Sequence, residues 1–384
     1  MLTSYIKRGL VIMTIALALG FFLANRLTSR THAQAPQGGN QANTPAANPD
    51  DPPAEQVFKN IQVLKGVPKS QIDPIMDLIS ASVGMKCDQC HVGEAYEKDD
   101  KRNKQTARNM IKMTLDINKN SFNGRTQVTC YSCHRGQERP VNLPSLELAP
   151  SAASEPRPAP VQPGQGPTFD QLVEKYVQAV GGSEAFGKLK SRMIKGSFVT
   201  SDGKSLPVEI YQAAPNKMVM TTTLPNGVAL RGFNGTTGWI QGPDGQHEVK
   251  GAELAQLKRS ADLARSIKAK EEYLNPRMAG KTKIGNREAY RVLAQADGQR
   301  VQLFFDAETG LLLRRVTTTN TVIGALPMQV DFEDYRIVDG VKIPFITRQS
   351  TAHPGAASVS TLKFTEIKHN VPVDDAKFNP PAQK

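Results

Sequence analysis

Cys87-Asp88-Gln89-Cys90-His91 and Cys130-Tyr131-Ser132-Cys133-His134 decide the reading of this chain. Together they use all four cysteines of its 384 residues. Each spells C-x-x-C-H, the attachment pattern of a c-type haem. Positions i and i+3 share one face of a helical turn, so both thiols can reach the two vinyl groups along one porphyrin edge. The histidine after the second cysteine then supplies the proximal iron ligand. A zinc ribbon usually separates its C-x-x-C pairs by about 15 to 20 residues, whereas 39 residues lie between Cys90 and Cys130. Zinc, two disulfides or a redox-active C-x-x-C would not need a histidine in the same place twice. The expectation is two covalently bound haem c groups. Cys87, Cys90, Cys130 and Cys133 are the attachment residues, with His91 and His134 on the irons.

Around the motifs the pattern is helical. Val57 to Leu64 leads into a turn at Gly66-Val67-Pro68, after which Ser70 or Asp73 can cap a helix that tolerates Pro74 in its first turn. Ile72, Ile75, Met76, Ile79 and Val83 follow at helical spacing, and Gly84 ends the run. A second helix is expected from about Lys104 to Asn118, with Ala107, Met110, Met113 and Ile117 on one side. His91 and His134 are the only histidines between residues 55 and 145, which turns attention to methionine for the sixth ligand. Met85 stands too close to Cys87 to turn back across a ring. Met76 is 11 residues before Cys87, and Met110 and Met113 are 20 and 17 before Cys130. Methionine is a routine filler of apolar cores, but a Met-bearing helix ahead of each motif favours ligation.

This region resembles the cytochrome c subunit of photosynthetic reaction centres. The resemblance is carried, in order, by Val57 to Leu64, the Met76 helix into Cys87 to His91, Ala107 to Thr114, and Val128 to Gly136, over about 90 residues. It implies two thioethers, the motif histidine and a methionine for each haem. Met76 then partners His91, and Met110 partners His134, with Met113 as the alternative. It also implies electron transport, photosynthesis as the setting, and a reaction centre or respiratory donor and acceptor as partners. The best-known members carry four haems in two tandem pairs; this chain has one pair and no histidine between Asn118 and Cys130.

Lys7 and Arg8 precede an almost unbroken apolar run from Leu10 to Ala24, and Ala33-Gln34-Ala35 fits a small-residue cleavage site. Residues 1–35 therefore read as a signal peptide or an N-terminal membrane anchor. Either places the body of the protein on the periplasmic side of the cytoplasmic membrane, anchored or exported. Residues 36–54 are a linker poor in apolar residues, residues 55–145 the dihaem domain, and 146–167 a second linker rich in proline. Residues 168–384 form the remaining domain. The formal net charge of +12 is spread as +2, +4 and +6 over residues 1–54, 55–145 and 146–384, and no dense basic run with interleaved aromatics supports nucleic-acid binding.

In the last domain, a helical stretch from Phe169 to Leu189, broken at Gly181-Gly182, precedes strands at Met193–Thr200, Pro207–Ala213, Lys217–Leu224 and Val228–Phe233. A basic amphipathic helix, Ala252 to Lys268, interrupts them. Further strands are expected at Ala289–Ala294, Val301–Asp306, Leu311–Thr318, Gln329–Tyr335, Ile343–Gln349 and Ser358–Ile367. Hairpin turns are marked by Asn234-Gly235, Asp244-Gly245, Thr309-Gly310 and Asp339-Gly340. The fold class is thus multidomain α + β: a mainly helical dihaem cytochrome c domain, then an antiparallel curved β-sheet, or half-barrel, with a few helices. Val180-Gly181-Gly182, Ala185-Phe186, Lys195-Gly196 and Gly232 to Trp239 resemble the LolA-like periplasmic lipoprotein carriers. That resemblance implies an apolar ligand in the concave face, against a plain reading of these apolar positions as core. Trp239 could line such a pocket or belong to that core.

No catalytic triad, paired carboxylates or phosphate loop stands out, so the expectation is an electron carrier, not an enzyme. Two other readings remain. One is a redox-linked lipid- or lipoprotein-binding protein working through the C-terminal domain. The other is a dihaem peroxidase, which would need an open iron site that the methionines argue against.

Overall fold

The computed structural model describes residues 51–140, 166–243, 245–352 and 358–381. The signal or anchor segment 1–35, most of the first linker and nearly all of the proline-rich linker lie outside them. Among the described residues no helix is long and apolar enough to cross a membrane.

The first part is helical: α1 (Ala54–Val57), α2 (Ile72–Val83), α3 (Arg102–Ser121) and α4 (Cys130–His134), with short 3₁₀ turns at Lys69–Gln71 and Cys87–Gln89. After the linker come α5 (Phe169–Ala179) and α6 (Gly182–Gly187). Then follow six strands: β1 (Ser191–Val199), β2 (Ser205–Ala213), β3 (Lys217–Leu224), β4 (Gly227–Phe233), β5 (Gly238–Gly242) and β6 (Gly245–Val249). Helices α7 (Gly251–Ala261) and α8 (Ala269–Glu272) lead to seven more: β7 (Leu274–Ile284), β8 (Arg287–Ala296), β9 (Gln299–Asp306), β10 (Leu312–Thr321), β11 (Gly324–Val338), β12 (Val341–Thr351) and β13 (Ser358–His369).

All thirteen strands join one large curved antiparallel sheet in the order β6-β5-β4-β3-β2-β1-β13-β12-β11-β10-β9-β8-β7. The chain runs outward from β1 to one edge, crosses on α7 and α8 to the other edge, and meanders back until β13 lies beside β1. Side chains alternate between the faces. In β3, Met218 and Met220 point to one side and Val219 to the other. On the first face Phe169, Leu172, Val173 and Tyr176 of α5 pack on Val292, Leu303 and Phe305. Leu257 and Ala261 of α7 pack on Ile210, Met220 and Phe233. Between these halves runs a buried polar seam in which Arg265 stands 4.0 Å from Glu272. Loss of water pushes the Glu272 carboxyl up to about 7 despite that arginine. On the opposite face Trp239 is buried with Val219 and Phe378, and its indole N–H donates to the Phe378 carbonyl at 3.0 Å. Trp239 is therefore a core residue. Two glycines of the strands have steric work: a Cβ at Gly232 would fall 2.5 Å from the Trp239 indole, and one at Gly196 would fall 2.2 Å from the Lys363 carbonyl oxygen.

The helical part is not closed by its own residues. Its core of Leu64, Val67, Ile72, Ile75, Leu78 and Ile111 includes Ile323, from the turn between β10 and β11, at 0% exposure. The sheet thus supplies a side chain to the interior that α2 needs.

Three expected elements differ. The helix after β6 ends at Ala261, with a 3₁₀ turn and α8 taking the rest. Strands β5, β6 and β7 were not expected; they are short, rich in glycine or edge-lying, so their alternation is weak. The hairpin between β10 and β11 extends well past its expected ends, because Val322-Ile323 carries no turn signal.

The seam where the meander closes contains a titratable group. Arg192 and His369 pair across β1 and β13, and the Arg192 Nε–H donates to His369 Nε2 at 3.1 Å. Nδ1 of the same ring lies 3.3 Å from Asp339, and the side chain is 0% exposed. Burial, then the Arg192 charge, lowers the imidazole to about 4. A base held neutral in the fold contributes stability above its unfolded value of about 6.5 that is lost as pH falls toward 4. Thermal unfolding followed from pH 7 to 4 should show a loss of order 2 kcal/mol from this group, and His369→Gln should flatten that limb.

Candidate haem centres

Each C-x-x-C-H forms a single hydrogen-bonded turn. In the first, the Cys90 N–H donates to the Cys87 carbonyl at 3.2 Å, closing the 3₁₀ turn Cys87–Gln89, and the His91 N–H donates to the same carbonyl at 2.8 Å. In the second, Cys130–His134 is α-helical, and the Thr129 N–H donates to Ser132 Oγ at 3.0 Å, capping its start. Arg135 then turns left-handed, with φ of 49°, and ends it. None of the four cysteines is in a disulfide. Burial pushes the Cys90 and Cys130 thiols above their ordinary range, and the Thr114 hydroxyl stands beside Cys130.

The histidines are oriented by neighbours. His134 Nδ1 is 3.0 Å from the Gln137 carbonyl oxygen. A carbonyl only accepts, so Nδ1 carries the proton and Nε2 keeps its lone pair for a metal. The His91 ring meets Tyr96 edge-on, with centroids 5.2 Å apart.

The two motifs are held together through backbone. Gly84 closes α2 in the left-handed region at φ of 69°, three residues before Cys87. Its α-carbon lies so near the Gly136 carbonyl that an added Cβ would sit 2.2 Å from that oxygen. The Gly136 N–H, just past the second motif, donates to the Ser82 carbonyl at 2.8 Å. The end of one motif is thereby locked to the helix that leads into the other.

Two further residues shape the site. Asn118, buried on α3, accepts from the N–H groups of Gln127 and Val128 at 3.0 and 2.9 Å and donates to the Val128 carbonyl at 2.7 Å. It thereby orders the loop that presents Cys130. Buried Arg108 donates to Asp99 at 2.9 Å and to the Asn60 carbonyl at 3.3 Å, and Lys104 adds an ion pair to Asp99. These donors hold the Asp99 carboxyl well below the usual carboxylate range. Neither residue was singled out from sequence, because a polar residue's partners lie in other segments.

The methionines sit on faces that periodicity alone did not separate. On α2 the buried stripe is Ile72, Ile75, Leu78 and Ser82, and Met76, Ile79 and Val83 form a half-buried neighbouring stripe. On α3 the core face is Arg108, Ile111, Thr114 and Asn118. Met110 and Met113, expected on an apolar side with Ala107 and Ile117, are 37% and 44% exposed. Met113 lines an open groove of about 450 Å³ with Asn109, Lys112, Asp116 and Ile117. Met110 lies one turn before Thr114, whose hydroxyl donates to the Met110 carbonyl at 2.9 Å and also faces Cys130.

The donor set fits haem c: two cysteines on one turn, a histidine directly after, and methionine thioethers on the preceding helices, Met76 half-buried against the core and Met110 and Met113 exposed.

Residues 18–160 match the model of the photosynthetic reaction centre cytochrome C subunit family. Among curated relatives, the photosynthetic reaction center cytochrome c subunit of Thermochromatium tepidum is 34% identical over 100 residues, 25% of this chain and 25% of that protein. Its counterpart in Rubrivivax gelatinosus is 35% identical over 104 residues, 26% of this chain and 28% of that protein. The match spans about a quarter of the length of these relatives. Similar solved structures include a LolA superfamily protein from Nitrosomonas europaea, at 12% identity over 56% of this chain and 99% of that one, with a TM-score of 0.40. A DUF1329 family protein from Desulfovibrio piger gives 11% identity over 55% and 96%, with a TM-score of 0.41.

The Gly84 contact is open to test against Gly93, which has positive φ but nothing within 4 Å of an added Cβ. Gly93→Ala should cost only the left-handed backbone penalty of about 1–2 kcal/mol. Gly84→Ala should lower the unfolding temperature further and reduce covalent haem per chain, measured by absorbance of the alkaline pyridine complex.

Proposed function

We propose that this chain is a c-type cytochrome that holds two haems covalently and passes electrons singly between redox partners, and that it is not an enzyme. One observation carries the reading: two turns, each bearing two cysteines outside any disulfide and a following histidine, lie in one small helical unit joined by the Gly136–Ser82 hydrogen bond. The match of residues 18–160 to a reaction centre cytochrome family supports it.

When bound, haem c supplies a one-electron iron couple. Cys87 and Cys90 would anchor one group and Cys130 and Cys133 the other, through thioethers. His91 and His134 would each supply a ring nitrogen to the iron, and Gln137 holds His134 in the tautomer that leaves Nε2 free to do so. Met76 on α2 and Met110 on α3 would complete the two axial pairs. The family resemblance favours Met110, and Met113, on the groove, is the alternative. Thioether sulfur favours the reduced iron, making both centres comparatively oxidising.

The positive and apolar N-terminal segment supports a periplasmic location, anchored or exported. The relatives are subunits of photosynthetic reaction centres, so a membrane redox complex, photosynthetic or respiratory, is the expected partner.

The test is the haem count and optical spectrum of the exported protein. Two covalent haems per chain are expected, falling to one in a Cys87→Ala/Cys90→Ala variant. The weak long-wavelength sulfur-to-iron band should lose about half its intensity in Met76→Ala and again in Met110→Ala, and Met113→Ala should leave it in place. A high-spin iron in the wild type would refute the ligation.

A further inference from the structure

The turn between β10 and β11 is built against the usual chemistry of a hairpin. Thr321 pairs with Gly324, leaving Val322-Ile323 as the two turn residues. Two-residue hairpins favour Asn-Gly or Asp-Gly, whose backbones accept the positive φ that matches strand twist. A β-branched pair has neither that freedom nor any reason to face water. Here Val322 is half-buried and Ile323 is 0% exposed, inside the core formed by Ile72, Ile75 and Leu78 of α2 and Ile111 of α3. The tip is fixed from within as well. Thr321, itself buried, donates through its hydroxyl to the Gly324 carbonyl at 2.9 Å and accepts from the Ile323 N–H at 3.3 Å.

Gly324 extends the contact to the second motif. A Cβ there would stand 2.7 Å from Leu78 Cδ2 and 3.2 Å from Thr129 Cγ2. Leu78 is on the helix that carries Met76. Thr129 caps the turn that carries Cys130, Cys133 and His134. The tip therefore touches the supports of both centres at once.

We infer that Ile323 and Gly324 are positioning residues for the two haem centres. The sheet, through this tip, sets how α2 is rotated and how far it stands from the second C-x-x-C-H turn. The inference rests on the two-haem reading and goes beyond it by giving the C-terminal sheet a part in electron transfer. The physical basis is that α2 has two adjacent apolar stripes. One, Ile72, Ile75 and Leu78, is held by Ile323; the other carries Met76. Nothing in the helix's own periodicity distinguishes them, so an outside side chain must select which stripe turns inward. Truncating that side chain frees α2 to rotate, and its methionine moves with it.

The experiment uses the full-length, haem-loaded protein and reads the midpoint potential of each haem and the sulfur-to-iron band. Ile323→Ala should weaken the band and shift the midpoint of the Cys87/Cys90 haem to a lower value, and Ile323→Val should restore both. Gly324→Ala, which adds a methyl between Leu78 and Thr129, should shift the midpoint of the Cys130/Cys133 haem as well. It also serves if Ile323→Ala does not mature. Leu257→Ala, on α7 in the core that helix forms with β2 to β4, should lower the unfolding temperature and leave both midpoints at wild-type values. Wild-type midpoints and band in the folded Ile323 and Gly324 variants would overturn the inference, as would an equal shift in Leu257→Ala. A wild type that lacks the sulfur-to-iron band refutes methionine ligation instead, and the positioning role is then decided by the midpoints alone.

Discussion

Burial of one stripe of α2 is the constraint on which the rest depends. Ile75 is completely enclosed, and what encloses it comes from every other part of the helical unit and from the sheet: Leu64 and Val67 before it, Ile111 across it, Ile323 from the β10–β11 turn. A twelve-residue helix is marginal by itself, so its orientation comes from these neighbours. Once oriented, it delivers Gly84 to the backbone of Gly136. That contact tolerates no side chain, and it fixes one C-x-x-C-H turn against the other.

The polar groups refine what the apolar contacts set. Asn118 makes three hydrogen bonds to a loop without regular structure and so converts a flexible connection into a defined approach to Cys130. Arg108, with Asp99 and Asn60, ties the segment before α2 and the loop after His91 to α3. Each is a buried or half-buried group whose desolvation is offset by specific partners. The two histidines share the residue that follows a C-x-x-C but differ in their neighbours, a carbonyl for His134 and an aromatic edge for His91.

Much of the site was legible because its chemistry is contiguous. Two cysteines three apart and a histidine beside them need one turn of chain and nothing else, so their identity survives without knowledge of the fold. Strands β1 to β4 and β8 to β13 were also legible, since alternation and turn residues are local properties. Strands β5 to β7, at and next to the sheet edges, were not, and neither was the length of the β10–β11 hairpin. Its turn was chosen for what it packs against, not for its own geometry. The helix faces were half legible: apolar spacing marked α2 and α3 but did not say that Met110 and Met113 lie outside the core.

By itself, then, the sequence determined the two C-x-x-C-H turns that are the candidate haem sites, most of the helices and strands, and the class of sheet, because each follows from covalent order and short-range periodicity. The tertiary structure alone decided that Gly84 meets Gly136, that Trp239 is core, and that Ile323 completes the interior of a helical unit more than two hundred residues earlier in the chain. Those are contacts between segments with no pattern in common, and only the three-dimensional closure of apolar surface selects them.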